Sequence, residues 1–260
     1  MARKRHKKRR IERIYSYGTA HAKGLKMKHF EQRLEIDQNK NCIIRLDGVG
    51  MTKGFKTSEI INKSFESAME KTMFKLMKYF PSAVFAYQFS DEISILFDLK
   101  INDKRIMNRV EKLISITSGA ASSIFTEVKK DNEIHVFDSR LSQPPEIEKY
   151  FESRQEYAIW QFIEKLRNKN ISPNAIRDSK LHDSKIVKQA LASLDPPVDY
   201  ESYPKRYRNG FIMFKKNGKI VTEEAEIFSE TFNYLNNRLP NKFFNYKVIE
   251  KDVKVQALRA

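Results

Sequence analysis

The chain holds a single cysteine, Cys42, among its 260 residues. One thiol excludes an intrachain disulfide framework and a cysteine-rich zinc site. Cys42 reads as a small apolar residue packed on a strand, and a reducing cytoplasmic setting is the expectation. No apolar run reaches the roughly 20 residues that a bilayer-spanning helix needs. No basic amphipathic segment or lipidation signal points to a membrane surface either. The five histidines, His6, His21, His29, His135 and His182, are scattered without metal-ligand spacing. No internal repeat is present.

Positive charge is abundant. Lys and Arg outnumber Asp and Glu to give a formal charge of +16, a field that favours polyanions, nucleic acid ahead of a membrane. Seven of the first ten residues are Lys or Arg. No apolar stretch follows them, as a secretory leader requires, because Ile11-Glu12-Arg13-Ile14-Tyr15 is amphiphilic. Residues 1–22 therefore read as a basic flexible tail that seeks phosphate, with a nuclear address as the competing reading.

Patterning predicts the elements that follow. Lys23 to Gln38 reads as a helix and Cys42 to Leu46 as a short, doubly covered strand. A helix capped by Ser58 runs to Tyr79 behind a Met-rich apolar stripe, and Pro81 ends it. Ala83 to Phe89 and Ile93 to Leu99 read as a hairpin around Ser90-Asp91-Glu92. A second long helix spans Asp103 to Val128; its run of small residues at 115–123 implies close packing on a sheet. Glu133 to Asp138 reads as a fourth strand. The order β-α-β-β-α-β predicts an α+β fold of the ferredoxin-like, split βαβ kind, an antiparallel sheet with two helices on one face. Beyond Pro144-Pro145 come a helix from Ile147 to Asn168, short helices within 170–193, and a hairpin turning at Asn217-Gly218. The expected division is residues 1–22 as tail, 23–143 as the first domain and 144–260 as a helical and hairpin extension packed on it.

Two acid-bearing turns carry the chemistry. Ile43-Ile44-Arg45-Leu46-Asp47-Gly48-Val49-Gly50-Met51-Thr52 runs a strand into a carboxylate and a Gly-containing turn, and Ser90-Asp91-Glu92 caps the hairpin. Either alone is also ordinary turn chemistry. Together, the split βαβ order brings the end of the first strand and the hairpin tip to one edge of the sheet. Two carboxylates there can hold two Mg²⁺ ions and position a triphosphate. The Gly48 carbonyl offers a further oxygen, and the amides of Val49 to Thr52 a backbone nest.

Arg45-Leu46-Asp47-Gly48, Ser90-Asp91-Glu92-Ile93-Ser94 with Phe97, Phe137-Asp138-Ser139-Arg140 and Tyr150 followed by Arg154-Gln155 stand in the order and spacing of the histidine-tRNA guanylyltransferase family. The chain resembles that family over about residues 25–215. The resemblance implies a polymerase-like palm domain and two Mg²⁺ ions, with ATP and GTP or another NTP as substrates. A tRNA would be the partner, and the assembly a homotetramer or homodimer. By motif position it implies Asp47, Asp91 and Glu92 as catalytic residues and Asp47, Gly48 and Asp91 as metal ligands. Asp47, Gly48, Val49, Gly50, Met51, Thr52, Ser90, Asp91 and Lys185 would bind nucleotide. Glu92 would support the site from the opposite face of a regular strand. Among the basic residues, Arg154, Lys205, Arg206 and Arg208 are expected to contact RNA, and Trp160 can stack bases.

Departures from the family pattern point to its guanylyltransferase-like branch, which repairs 5′ ends against a template. Ala158-Ile159-Trp160-Gln161 stands where His-Ile-Asn-Asn is usual, Met51-Thr52 replaces Phe-His, and Phe89 replaces Gln. Addition of one G to histidine tRNA, a nucleotide cyclase and a noncatalytic RNA-binding protein are the rival readings.

Overall fold

The computed structural model describes residues 34–51, 61–103, 109–170 (side chains to 166), 192–193, 197–228 and 237–238. Its strands are β1 (Cys42–Gly48), β2 (Ala83–Phe89), β3 (Glu92–Phe97), β4 (Phe137–Ser142), β5 (Phe211–Lys216) and β6 (Lys219–Glu224). Its helices are α1 (Lys63–Tyr79), α2 (Val110–Lys129), α3 (Ile147–Asn170) and the single turn α4 (Lys205–Arg208). All six strands join one antiparallel sheet in the order β4-β1-β3-β2-β5-β6. The first four follow the split βαβ order, and the C-terminal hairpin lengthens the same sheet beyond β2. Asn217 and Gly218, with φ of 50° and 75°, make its two-residue turn, the geometry an Asn-Gly pair favours.

Alternation along β1 sends its residues to two different cores. Cys42, Ile44 and Leu46 meet α1 and α2, which bury Phe65, Met69, Met73 and Leu76 and Leu113, Ala121 and Phe125. Ile43 faces the other way, into a second core built with Phe151, Phe162, Ile163 and Leu166 of α3. The sheet is therefore covered on both faces, which is why β1 and β2 read as nearly unbroken apolar runs.

Element ends depart from the sequence reading for local reasons. Residues 34–38 are not helical: Glu35 bridges Arg109, and the Val110 amide donates to Leu34 O at 2.9 Å. The rest of that expected helix lies outside the described residues. Asn62, not Ser58, caps α1, its side chain accepting from the Phe65 amide at 3.0 Å. Strand β3 stops at Phe97 because Asp98 turns the chain, its carboxylate accepting from the Lys100 amide. Helix α2 begins at Val110; Asp103 is instead buried and bonded by Ser82.

Strand β4 starts at Phe137, since residues 133–136 form a loop in which Ile134 is 89% exposed. The small residues of α2 do meet the sheet, through hydroxyls. Ser122 Oγ accepts from the Phe137 amide at 2.9 Å, and Thr117 bonds Ser139 at 3.0 Å, while Gly119 faces open space.

Candidate active site

Asp47 lies one residue from the end of β1, opposite Glu92 of β3 on one side and Asp138 of β4 on the other. Asp91 occupies the two-residue turn between β2 and β3, after Ser90 at φ 53°. The two acid-bearing segments are tied together by the Gly48 amide, which donates to Asp91 O at 3.0 Å. The approach at 48 is close: a Cβ there would meet Met51 Sδ at 2.7 Å and Asp91 Cβ at 3.0 Å, so any larger residue would have to displace the Met51 side chain and press on the Asp91 turn. Asp47, Asp91 and Glu92 then line one open pocket of about 420 Å³ with Arg45, Arg154 and Tyr157. Burial, reinforced by the Asp47 charge, pushes the Asp91 carboxyl above its usual range.

Glu92 joins its neighbours on the same pocket, because Asp91 belongs to the turn and strand alternation begins only after it. Its carboxylate is clamped. Arg154 Nε donates to Oε1 at 2.9 Å, Arg154 Nη2 donates to Oε2, and Arg45 Nη1 reaches Oε2 at 3.5 Å. Burial raises the Glu92 carboxyl, and the Arg154 charge opposes that rise. Arg154, expected on RNA, is thus committed to Glu92 and to the face of Tyr157, 4.9 Å from the ring centroid.

The donor set suits a hard divalent cation: carboxylates of Asp47 and Asp91, the Gly48 carbonyl, and Asp138 beside Asp47. Asp138 Oδ2 accepts from Arg140 at 2.9 Å, while Oδ1 is buried and accepts no hydrogen bond among the described residues. A half-buried carboxyl beside a second acid, as Asp91 is beside Asp47, is an arrangement that a cation relieves. A second group, Asp131, Glu133 and His135, brings its ligand atoms within 4.8 Å of one another in the α2–β4 loop. There His135 Nε2 already bonds Asp131 at 2.9 Å.

Other expectations divide. The Val49 amide donates to Val136 O at 2.8 Å, so it is not free to form a nest; Gly50 and Met51 remain in the turn. Thr52 and Lys185 lie outside the described residues. Arg208 is a structural residue, buried and donating to Tyr203 O and to Glu201, because the aromatic ring of Tyr200 covers its guanidinium. Arg206 pairs with Glu70 at 2.8 Å over the Phe211 ring, and exposed Lys205 pairs with Glu226. Gln155 is also structural: buried, it holds Asn209 O, Glu226 O and the Phe228 amide.

Three residues escaped the sequence reading. Lys165 of α3 donates to Ser90 Oγ at 3.4 Å. Gln88 Nε2 donates both to Ser90 O at 2.8 Å and to Glu66 of α1 at 3.3 Å. Burial pushes the Glu66 carboxyl up to about 7. No spacing rule links these positions; only the folded turn gathers them.

A profile of the tRNA(His) guanylyltransferase (Thg1) family matches residues 24–154. No curated protein matches the chain. Among solved structures, a bacterial tRNA(His) guanylyltransferase (Thg1)-like protein in complex with ATP aligns with a TM-score of 0.72 at 23% identity, over 82% of this chain and 97% of that one. The GTP complex of a bacterial Thg1-like protein aligns with a TM-score of 0.65 at 23% identity, over 81% and 96%. The tRNA(His) guanylyltransferase of Saccharomyces cerevisiae gives 0.63 at 16% identity, over 77% and 96%. They share the palm-like fold described above. The chain belongs to the tRNA(His) guanylyltransferase family of tRNA nucleotidyltransferases.

Proposed function

We propose that this enzyme extends the 5′ end of tRNA in the reverse, 3′–5′ direction, repairing truncated ends against the opposite strand as template after ATP activates the 5′-phosphate. The observation that carries the reading is the convergence of Asp47 and Asp91 on one pocket, with their backbones joined at Gly48. Residues 23–143 supply both acids and form the catalytic unit, while the extension contributes Arg154 to the Glu92 clamp. The lone cysteine suits a cytoplasmic setting.

Asp47, Asp91 and the Gly48 carbonyl would hold two Mg²⁺ ions, which when bound offset the triphosphate charge and acidify an attacking hydroxyl. The chain's own groups do the positioning. Glu92, engaged by two arginines, keeps Arg154 and Arg45 fixed at the pocket wall; it acts as a positioning residue. Ser90 in that turn and Lys165, which reaches it from α3, supply a hydroxyl and a cation for phosphate oxygens. The structures in complex with ATP and with GTP are of bacterial Thg1-like proteins, and their nucleotides support both substrates here. Departures at Met51 and Trp160 favour templated repair over the addition of a single G.

The test is a 5′-truncated, monophosphorylated tRNA incubated with ATP, Mg²⁺ and each labelled NTP. Addition that follows the opposing base supports repair. Addition of G alone, whatever stands opposite, would assign the G-adding reaction instead, and no addition at all would overturn the proposal.

A further inference from the structure

The only tryptophan of the chain stands at the edge of the acid pocket with a face open to solvent. Trp160 is 38% exposed and Tyr157 is 45% exposed, on a helix whose neighbouring apolar residues Ala158, Phe162 and Ile163 are buried against the sheet. The two rings stack on each other at 5.9 Å between centroids and 23° between planes. Tyr157 lines the pocket with Asp47 and Asp91, and the Arg154 guanidinium lies over its ring. Trp160, one turn further along α3, lies outside the pocket lining. The result is a ladder of guanidinium, phenol and indole leading from the acids outward.

From this placement we infer that Trp160, backed by Tyr157, forms a stacking platform for an unpaired RNA base next to the end held in the pocket. An exposed indole costs apolar surface in water and offers any base a large flat face, so stacking there does not depend on sequence. A mononucleotide whose phosphates meet the acids stops inside the pocket. A polymer whose end enters it can continue past Trp160, the next ring along α3 from the pocket-lining Tyr157, and the strongly basic chain favours that polymer over a protein partner. The inference rests on the reading of the pocket as an RNA-end site only in the choice of RNA as ligand, since its test reads binding without turnover.

With one tryptophan, indole emission under excitation selective for tryptophan reports this position alone. The full chain is titrated without ATP with three probes: a 5′-monophosphorylated RNA hairpin carrying an unpaired terminal base, the same hairpin with a blunt end, and GTP with Mg²⁺. The overhang hairpin quenches Trp160, and the blunt hairpin and GTP leave it largely unchanged. By anisotropy of labelled RNA, Trp160→Leu weakens binding of the overhang hairpin about tenfold and Trp160→Phe by less, while blunt-hairpin affinity is retained. Equal losses for both hairpins in a variant whose circular dichroism matches wild type, or no loss for either, would overturn the platform. Quenching by GTP as strong as by the overhang hairpin would overturn the assignment to RNA. Absence of nucleotide addition with quenching intact would remove the proposed reaction and leave the platform standing.

Discussion

The two faces of the sheet are built from the same strands and do opposite work. On one, Cys42, Ile44 and Leu46 of β1 and Ile93 and Ile95 of β3 are fully buried beneath α1 and α2. On the other, β1 begins apolar at Ile43 and turns charged at Arg45 and Asp47, as its neighbours do at Glu92, Asp138 and Arg140. Helix α3 packs Phe151, Phe162 and Leu166 into the apolar core on that face, and meets its charged residues with Tyr150 on Ser94 and Arg154 on Glu92. A sheet packed on both faces hides its backbone. It can offer a polar pocket only where one covering layer gives way, which here is at the strand ends nearest the β2–β3 turn.

Mutations that treat the faces differently break or sharpen the contrast. Asp47→Ala or Asp91→Ala is expected to reduce nucleotide addition by about 10³-fold or more while tRNA binding persists, because the charge is needed in the reaction and not in the fold. Thermal unfolding of either variant should show no loss of stability, since removing one acid relieves its neighbour; retained activity in either variant would defeat the assignment. On the opposite face, Leu46→Ala should cost about 2–5 kcal/mol in urea unfolding, the range for a large-to-small change at a fully buried site. A cost no larger than that of a surface substitution would show that the α1–α2 face is not the tighter core.

Smaller effects probe the groups between. Arg154→Ala leaves Glu92 desolvated without its bidentate partner and should destabilise by roughly 1–3 kcal/mol. Adding Glu92→Gln should recover part of that loss, a coupling that a double-mutant cycle measures. The Glu66 carboxyl is held at about 7, above its ordinary 4.5, so the folded protein keeps that proton more tightly than the unfolded chain. Its stabilising contribution is therefore complete below about 4.5 and disappears as pH rises through about 7. Glu66→Gln should match wild type in urea at pH 4.5 and exceed it by about 1–3 kcal/mol at pH 8. Equal stability at both pH values would show that burial of Glu66 does not shift it.

Much of the fold was legible because local rules and the global pattern agreed. The apolar run of β1, the Met stripe of α1, the Ser90-Asp91-Glu92 hairpin and the Asn217-Gly218 turn each announce themselves through period or turn chemistry. Where two rules competed, the reading slipped. Ile134 and Val136 alternate like a strand, but β4 pairs with β1 only from Phe137, after Lys130 and Asn132 turn the chain with positive φ. Arg208 looks like a phosphate ligand in a basic loop, yet the chain folds Tyr200 and Glu201 around it. Arg154 was visible as a motif residue, but its partner was not: Glu92 lies 62 positions away, on the strand that α3 packs against.

Sequence by itself determined the order of the strands and helices from β1 to β6 and the positions of the two acid-bearing turns, because period, turn chemistry and carboxylate placement are properties of short stretches of chain. Only the tertiary structure decided which face each side chain joined and what it met there. Register set Asp47 opposite both Glu92 and Asp138, the bare Cα of Gly48 let the Asp91 turn close against β1, and α3 laid Arg154, Tyr157 and Trp160 along the pocket edge. Those contacts join residues tens of positions apart, and their energies depend on burial and distance, which exist only once the sheet has formed.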